Sequence, residues 1–412
     1  MSALSRIPSR AAVLGNSRYR LLFMATLGSA LGTYATTIAL TSDIDARTNS
    51  TWWVALLYFV TFVPRIFVGL FVGPLIDRLS RKTLIVSSDV VRLAVFASLP
   101  FAHRAGTMIV LAAVSGIADS FFRPAVFAGV PNLVEERELD AATTLLQGTE
   151  WLAAAIGPVI AGTLVSVSGP HIVYWINAAT FLFSALLIVR IPGRLLQSEQ
   201  GITRGHWRDL RDGLSLFRFS PALRVALFGF GLTMITTGLV NPSEIFLAKR
   251  SLGTGPFGFG LLWTGSGVGL VVGSIVTGLL LERHEVLDVY ALAFVPITAG
   301  VIGAATAPNI WIAATAMTLA GFGNGLAFPM TILIVQRYTT DRLRGRAFTV
   351  IISLHTALLG LAMISSSAIT EAVGARWTYV AASACAAGSA VVVLVLLRGG
   401  KVRSALAHEA AA

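Results

Sequence analysis

Carboxylates and arginines inside apolar stretches are the residues whose types and spacing could support proton chemistry in this chain. Glu150 lies in a long apolar run with no basic residue near it in sequence. Burial there favours its neutral form, so it can bind and release a proton. Asp119 and Arg123 are four residues apart, which on a helix places them on one face where they can pair. Glu150 and Asp119 are the proton-exchange candidates, with Arg123 and Arg65 as buried basic partners.

Each of these residues also has a purely structural interpretation. Glu150 lies about two to three turns from one end of its run and could be in contact with water. Asp119 and Arg123 could form a neutralised pair that only fixes helix packing. Arg65, which follows Pro64, is expected to face a cavity because an unpaired arginine in hydrocarbon is costly. Glu244 is a further polar interruption at the outer end of its run and could simply be solvated there.

The composition places these residues in a membrane. The 412 residues are 55% hydrophobic and only 12% charged, with a mean hydropathy of +0.77, so a water-soluble surface cannot be built. A span needs about 20 apolar residues, which leaves room for roughly a dozen. The one cysteine, Cys385, excludes an internal disulfide, and the histidines show no metal-ligand spacing, so no metal site is expected.

Twelve apolar runs predict an all-α polytopic protein of twelve transmembrane helices. They begin near Leu21, Trp52, Thr83, Thr107, Ala141, Ile172, Ala222, Phe257, Val289, Ile310, Ala347 and Trp377. The predicted segments are a cytoplasmic N-terminus 1–20, an N-terminal six-helix bundle 21–190, a cytoplasmic linker 191–220, a C-terminal six-helix bundle 221–397 and a cytoplasmic tail 398–412. Within the linker, Leu210, Leu214 and Phe217 recur at helical spacing, which predicts an amphipathic helix on the membrane surface.

The distribution of basic residues predicts the orientation. With the N-terminus inside, only five of the 31 lysines and arginines fall in outer loops. These five are Arg47, Arg104, Lys249, Arg250 and Arg376. By the positive-inside rule both termini face the cytoplasm. The net charge of +11 is then explained by topology, and no nucleic-acid partner is expected.

Two features indicate that the halves are related and carry a recognisable loop. One pattern occurs in both halves at one constant offset: the order and spacing of Gly73, Leu75, Asp77 and Arg78 return at Gly278, Leu280, Glu282 and Arg283.

The segment 73–82 resembles the loop signature of the major facilitator superfamily. It matches that signature at Gly73, Leu75, Asp77, Arg78, Arg81 and Lys82, and it has Ser80 in place of the second glycine. The resemblance extends to Asp89 and Arg92 in helix 3. It implies an inner gate, because a carboxylate at a helix end can cap a neighbouring helix or pair with arginine. A topology-setting turn is the alternative.

A second motif is similar to the exporters of that superfamily. Gly157, Pro158 and Gly162 resemble the helix 5 motif of its antiporters, with Ala153 and Ala161 at positions where that motif prefers glycine. Further similarity to macrolide-efflux and siderophore-export proteins lies in 121–125 and 344–346. These exporters often carry a carboxylate in the middle of helix 1, where this chain has Thr33. Asp43 and Asp45 near the outer end could substitute or could be loop charges.

The resemblance implies the major facilitator fold, two pseudo-symmetric six-helix halves, and export of a small amphipathic compound by proton antiport with alternating access. A proton-coupled nutrient importer of the same fold is the alternative, and a membrane sensor or scaffold is a further one. No catalytic constellation is present, so an enzyme is not expected. The expected coupling ion is the proton, without any cofactor. The expected setting is a monomer in the lipid bilayer of the cell membrane.

Overall fold

Twelve α-helices occupy the part of the chain that the structure describes. The computed structural model describes residues 10–64, 80–196, 220–339 and 341–398, and no strand occurs in these ranges. The helices are α1 Ser17–Thr48, α2 Thr51–Phe62, α3 Arg81–Ser98, α4 Ala105–Gly129, α5 Leu139–Ser168, α6 Pro170–Val189, α7 Pro221–Phe246, α8 Gly255–Leu281, α9 Val286–Thr306, α10 Ile310–Arg337, α11 Asp341–Val373 and α12 Ala375–Arg398. In the described ranges, eleven are long and apolar enough to span a membrane and α2 is a shorter apolar helix. The prediction of an all-α polytopic chain is confirmed.

Short polar residues set where several helices begin. The Ser80 hydroxyl accepts a hydrogen bond from the Thr83 amide at 3.4 Å and caps α3. Asn309 caps α10 in the same way, accepting from the Ile312 amide at 3.0 Å. Each such cap satisfies an amide that the helix leaves without a partner, and contributes about 1 kcal/mol. Serine at position 80, where the related loop signature has glycine, thus has a local role at the start of α3.

The chain divides into two compact units, Met1–Thr48 with Val60–Thr203 and Asn49–Phe59 with Arg204–Ala412. In the first unit α1 packs against α5 and α6, and α3 packs against α4 and α6. In the second, α10 packs against α8 and α9, while α7 packs against α11 and α12. The predicted amphipathic helix at 210–217 lies outside the described residues.

The helices of the second half repeat those of the first at a constant spacing. Three pairs of helices begin at the same separation along the chain: α3 and α9, α4 and α10, and α6 and α12. Gly169 and Gly374, separated by that same distance in sequence, both adopt a positive φ (80° and 85°) between consecutive helices, a conformation that only glycine adopts readily. The separation equals that between Gly73 and Gly278, so the internal repeat seen in the sequence extends to helix boundaries. We call this separation the repeat offset.

The repeat offset recurs where helices cross closely. A Cβ on Gly116 of α4 would lie 2.8 Å from the carbonyl oxygen of Thr61 in α2. A Cβ on Gly321 of α10 would overlap the carbonyl oxygen of Ser266 in α8. Both members of the second pair follow those of the first by the repeat offset. Glycine is needed at these crossings because the backbones approach too closely for a side chain, as is common between membrane helices.

The outer faces of the helices are apolar. Val167, Phe101 and Trp377 expose large hydrophobic side chains, as do many residues on other spans. Such extensive exposed apolar surface is unfavourable in water but suits a lipid environment. The few buried charges therefore lie inside helical bundles rather than towards lipid.

Candidate functional site

A buried ion cluster joins α3, α4 and α6. Arg92 Nη2 donates to Asp89 Oδ1 at 2.7 Å, and Arg92 Nη1 donates to Asp119 Oδ1 at 3.0 Å. Ser184 donates its hydroxyl to the second oxygen of Asp89 at 2.6 Å. Asp89 and Arg92 are completely buried and Asp119 nearly so. The helices bring these side chains together because i,i+3 spacing on α3 aligns Asp89 with Arg92.

Aromatic rings enclose the same guanidinium. Arg92 lies 4.3 Å from the ring centroids of both Phe122 and Phe181, an arrangement in which cation–π attraction offsets part of the cost of burial. Because two buried carboxylates share one guanidinium, the cluster bears a net negative charge unless one carboxylate holds a proton. An arrangement of this kind can hold an exchangeable proton, and Asp119 is one of its two carboxylates.

A second, more open pair lies between α4 and α5. Arg123 Nε is 3.4 Å from Glu150 Oε1, with 39% of the arginine side chain and 13% of the glutamate side chain exposed. Arg123 is also within electrostatic range of Asp119 and Tyr34. The cluster at Arg92 and the pair at Glu150 are therefore electrostatically linked through α4.

The structure pairs these residues across helices and not along α4. The expected direct contact of Asp119 with Arg123 is replaced by an ion pair of Asp119 with Arg92 and of Arg123 with Glu150. Glu150 has no basic neighbour in sequence, and Arg123 of α4 supplies one in space. In both cases the partner comes from a different helix, and a single sequence does not encode which faces of two helices meet.

The glycine–proline motif of α5 faces α1. A Cβ on Gly157 would lie 3.2 Å from the Cβ of Tyr34 and 3.4 Å from the carbonyl oxygen of Leu31. Pro158 and Gly162 are buried in the same helix. The small residue thus permits close contact of α5 with α1 beside Tyr34, on the helix that also carries Glu150.

Only part of the loop signature lies in the described ranges. Arg81 Nη1 donates to the carbonyl oxygens of Ala128 at 2.7 Å and Leu196 at 3.1 Å. Lys82 Nζ donates to the carbonyl oxygen of Val189 at 2.6 Å. These cations bind carbonyls at or beyond the C-terminal ends of α4 and α6, where positive charge is stabilising. Gly73, Asp77, Arg78 and the predicted cavity residue Arg65 lie outside the described residues.

The acidic residues at the far end of α1 belong to the helix. Asp43 is buried, accepts from Arg47 Nε at 2.6 Å and accepts from the Tyr174 hydroxyl at 2.9 Å. Asp45 is buried as well. Of the two interpretations left open for these residues, the structure therefore excludes exposed loop charges.

Sequence reasoning missed two buried ionisable residues in the second half. Solvation was one interpretation of Glu244, but only 2% of it is exposed. His355 of α11 is buried, and its Nε2 lies 2.9 Å from the carbonyl oxygen of Leu227. His355 follows Glu150 by the repeat offset, a relation that the internal repeat could have revealed. Within the described ranges, no three His, Cys, Asp or Glu residues come together in a way that could hold a metal ion.

Comparison with known proteins identifies the family to which the chain belongs. Residues 8–410 match the family model described as transmembrane secretion effector. The multidrug efflux pump Tap of Mycobacterium tuberculosis is 23% identical over 381 residues, covering 88% of this chain and 89% of Tap. The putative bacilysin exporter BacE of Bacillus amyloliquefaciens is 27% identical over 376 residues, covering 87% of this chain and 89% of BacE.

Solved structures with the same fold are known. The crystal structure of the nucleoside transporter NupG has a TM-score of 0.70 at 15% identity and covers 93% of this chain and 99% of its own. That identity supports the fold alone. The family consists of transporters, which are not enzymes. The chain therefore belongs to the transmembrane secretion effector family and is a multi-pass membrane transporter of the major facilitator type.

Proposed function

We propose that the protein exports a small amphipathic compound in exchange for protons, by alternating access. The observation that carries this proposal is the Arg123–Glu150 pair, which is partly exposed and lies beside the buried Arg92 cluster. An ion pair at 3.4 Å between partly solvated groups is weak enough to be opened by a proton or a ligand. Intramembrane ionisable residues of this kind commonly mark ion or substrate pathways.

The proposed coupling uses Glu150 as the proton-binding group. When Glu150 is ionised it neutralises Arg123, and the site can receive a compound with a polar or cationic group. Protonation of Glu150 removes its charge, weakens the contact with Arg123 and expels the compound. Asp119 is the second candidate, because it shares Arg92 with Asp89 and its charge acts on Arg123. Proton and substrate thus compete, which is the requirement for antiport.

The substrate class and direction are inferred from chemistry and kinship together. Few charges and many apolar or aromatic side chains favour an amphipathic, moderately hydrophobic cargo, such as a drug, a macrolide-like natural product or a siderophore. Two relatives are named as a multidrug efflux pump and a putative exporter, which supports export over the nutrient-importer alternative.

The proposed setting is the cell membrane, with both termini in the cytoplasm, as the positive-inside distribution favours. We further propose a monomer that works in the lipid bilayer without a cofactor and without nucleic acid, with the proton gradient as its source of energy.

The direction of transport can be tested by measuring accumulation of macrolides, dyes and siderophores in cells that express the protein. Expression should lower accumulation of at least one compound, and a protonophore should abolish the difference. Glu150→Gln should remove export, because glutamine cannot exchange a proton. Glu135→Gln is the matched control, since Glu135 is exposed and pairs with Arg137 at 2.8 Å outside the apolar spans.

The alternatives give different results. Raised accumulation of a compound on expression would identify an importer and overturn the export proposal. If no compound changed in level while the protein was correctly inserted, a sensor or scaffold would be favoured instead. Equal export by Glu150→Gln and wild type would exclude Glu150 as the coupling residue.

A further inference from the structure

Glu244 in the second unit is a buried carboxylate without a positive partner among the described residues. It lies near the C-terminal end of α7, and its Oε1 atom is fully shielded, with no hydrogen-bond partner in the described ranges. An ionised carboxylate in such a position carries a large desolvation cost, whereas a neutral carboxylic acid does not. An unpartnered buried polar group calls for an explanation.

The ionisable group known to act on Glu244 is a tyrosine of α12. On α12, the Tyr379 hydroxyl is also buried, has no hydrogen-bond partner in the described ranges, and is within electrostatic range of Glu244 and Tyr58. Tyr58 of α2 packs on Trp263 of α8 with ring centroids 6.4 Å apart. Tyr379 thus lies within electrostatic range both of Glu244 and of a tyrosine in the segment Asn49–Phe59.

The charged side chains of Arg250 and Glu371 contact groups other than Glu244. Arg250, in the π-helical turn Leu247–Ser251, donates to the carbonyl oxygen of Asn49 at 3.1 Å and lies over the ring of Phe246. Glu371 of α11 is exposed and accepts from Thr51. In the part of the chain that the structure describes, Glu244 forms no ion pair with a lysine, arginine or histidine.

In the first unit, the equivalent tyrosine contacts a carboxylate whose charge an arginine neutralises. Tyr174 and Tyr379 are separated by the repeat offset and occupy equivalent positions on α6 and α12. Tyr174 donates to Asp43, which Arg47 also neutralises at 2.6 Å. The position equivalent to Asp43 is Ala248, one helical turn after Glu244, and no cation stands at the position equivalent to Arg47. The second unit thus has an acid and the tyrosine without the cation.

We propose that Glu244 is a proton-binding site that is neutral while it is buried beside Tyr379, and that it releases its proton to water when the segment Asn49–Phe59, which carries Tyr58, moves away. This inference goes beyond the coupling proposed at Glu150 and does not depend on the direction of transport.

The segment Asn49–Phe59 is held within the second unit in part by hydroxyl contacts. Ser367 donates its hydroxyl to Thr51 Oγ1 at 2.9 Å, and Thr51 donates to Glu371 at 3.4 Å. Contacts of this kind are individually weak. In this proposal an uncompensated charge on Glu244 disfavours the buried arrangement, and displacement of the segment gives Glu244 access to water.

Infrared spectroscopy of the purified protein near neutral pH tests the proton directly. A carbonyl band of a protonated carboxylic acid should be present, should be lost in Glu244→Gln and should remain in Glu371→Gln, the exposed carboxylate control. Glu244→Asp should retain an acid band at a shifted frequency, which guards against misfolding of the glutamine variant. If no acid band depends on residue 244, the proposal is overturned.

The movement is tested by electron–electron distance measurements in the Cys385→Ala background. Spin labels on Trp52→Cys and Ala372→Cys, both exposed positions, report the separation of the segment from α11. The distance should lengthen as pH rises, and Glu244→Gln should hold the short distance at every pH while Glu282→Gln, at an exposed carboxylate at the end of α8, titrates normally. A pH response unchanged by Glu244→Gln would contradict the proposal. Neither readout requires substrate, so failure here leaves the proposed antiport untouched.

Discussion

At the scale of single residues, the buried charges of the chain differ in how they are compensated. Asp89 and Asp119 share the guanidinium of Arg92, while Glu150 meets Arg123 at a partly exposed contact. Glu244 meets no described cation. Since a buried charge is stable only with a partner or a proton, the degree of compensation affects how readily each carboxylate exchanges a proton.

Arg92→Met should be strongly destabilising. It would leave two buried carboxylates without a counter-ion, and loss of one partner of a buried pair typically costs about 3–5 kcal/mol. Thermal unfolding in detergent should show a clearly lowered midpoint, and adding Asp119→Asn to Arg92→Met should restore part of it. Arg137→Met, at an exposed arginine, is the control. An Arg92→Met midpoint equal to wild type would show that the cluster is not ionised as described.

The sequence was sufficient to select Asp119, Arg123 and Glu150 as unusual, because charges in apolar runs are rare. It was insufficient to pair them, since the partners come from separate helices. The burial of Glu244 was missed for the same reason: Tyr379, which interacts with it, lies on α12, far away in sequence.

At the scale of helices, close crossings depend on glycine. The interface between α8 and α10 contains glycines from both helices, and a Cβ at any of them would meet the backbone of the opposite helix. These glycines are Gly265, Gly269 and Gly273 on α8 and Gly321 and Gly325 on α10. A Cβ on Gly269 would lie 2.7 Å from the amide nitrogen of Phe322. Backbone atoms cannot move aside as the end of a flexible side chain can. This interface therefore fixes the distance between the two helices.

Gly269→Val should therefore impair folding, whereas Gly278→Val on the same helix should not, because nothing lies within 4 Å of a Cβ at Gly278. Overpacking typically costs about 1–3 kcal/mol and occasionally more. The yield of monodisperse protein and its unfolding temperature in detergent measure the effect. Equal behaviour of the two variants would contradict the close crossing.

Helix positions were predictable to within a few residues. The run expected near Ile310 begins α10 at that residue, and the one expected near Ala222 begins α7 at Pro221. Hydrophobic length and Gly or Pro punctuation are local signals, which explains this success. The start of α11 at Asp341, ahead of the expected Ala347, was missed because the helix continues as a polar segment beyond its apolar run.

At the scale of the whole molecule, the constant repeat offset between equivalent helices describes a duplicated chain whose halves have diverged in their charges. Glu150 is matched by His355, and Arg47 is matched by Leu252. The fold is thus repeated in its helices and asymmetric in its ionisable groups. This asymmetry agrees with the proposal that Glu150 and Glu244 have different roles.

The orientation of the chain can be tested with single cysteines in the Cys385→Ala background. Arg104→Cys, at an exposed position before α4, should react with a membrane-impermeant maleimide in intact cells. His284→Cys, exposed between α8 and α9, should react only after permeabilisation. The opposite pattern would reverse the orientation inferred from the basic residues.

The most direct test of the central claim is substrate-driven proton movement in inside-out vesicles that contain the purified protein. Addition of an exported compound to acid-loaded vesicles should release protons from the wild type and from Glu135→Gln, but not from Glu150→Gln. Transport of the compound without proton release, or undiminished release from Glu150→Gln, would contradict proton antiport through this residue.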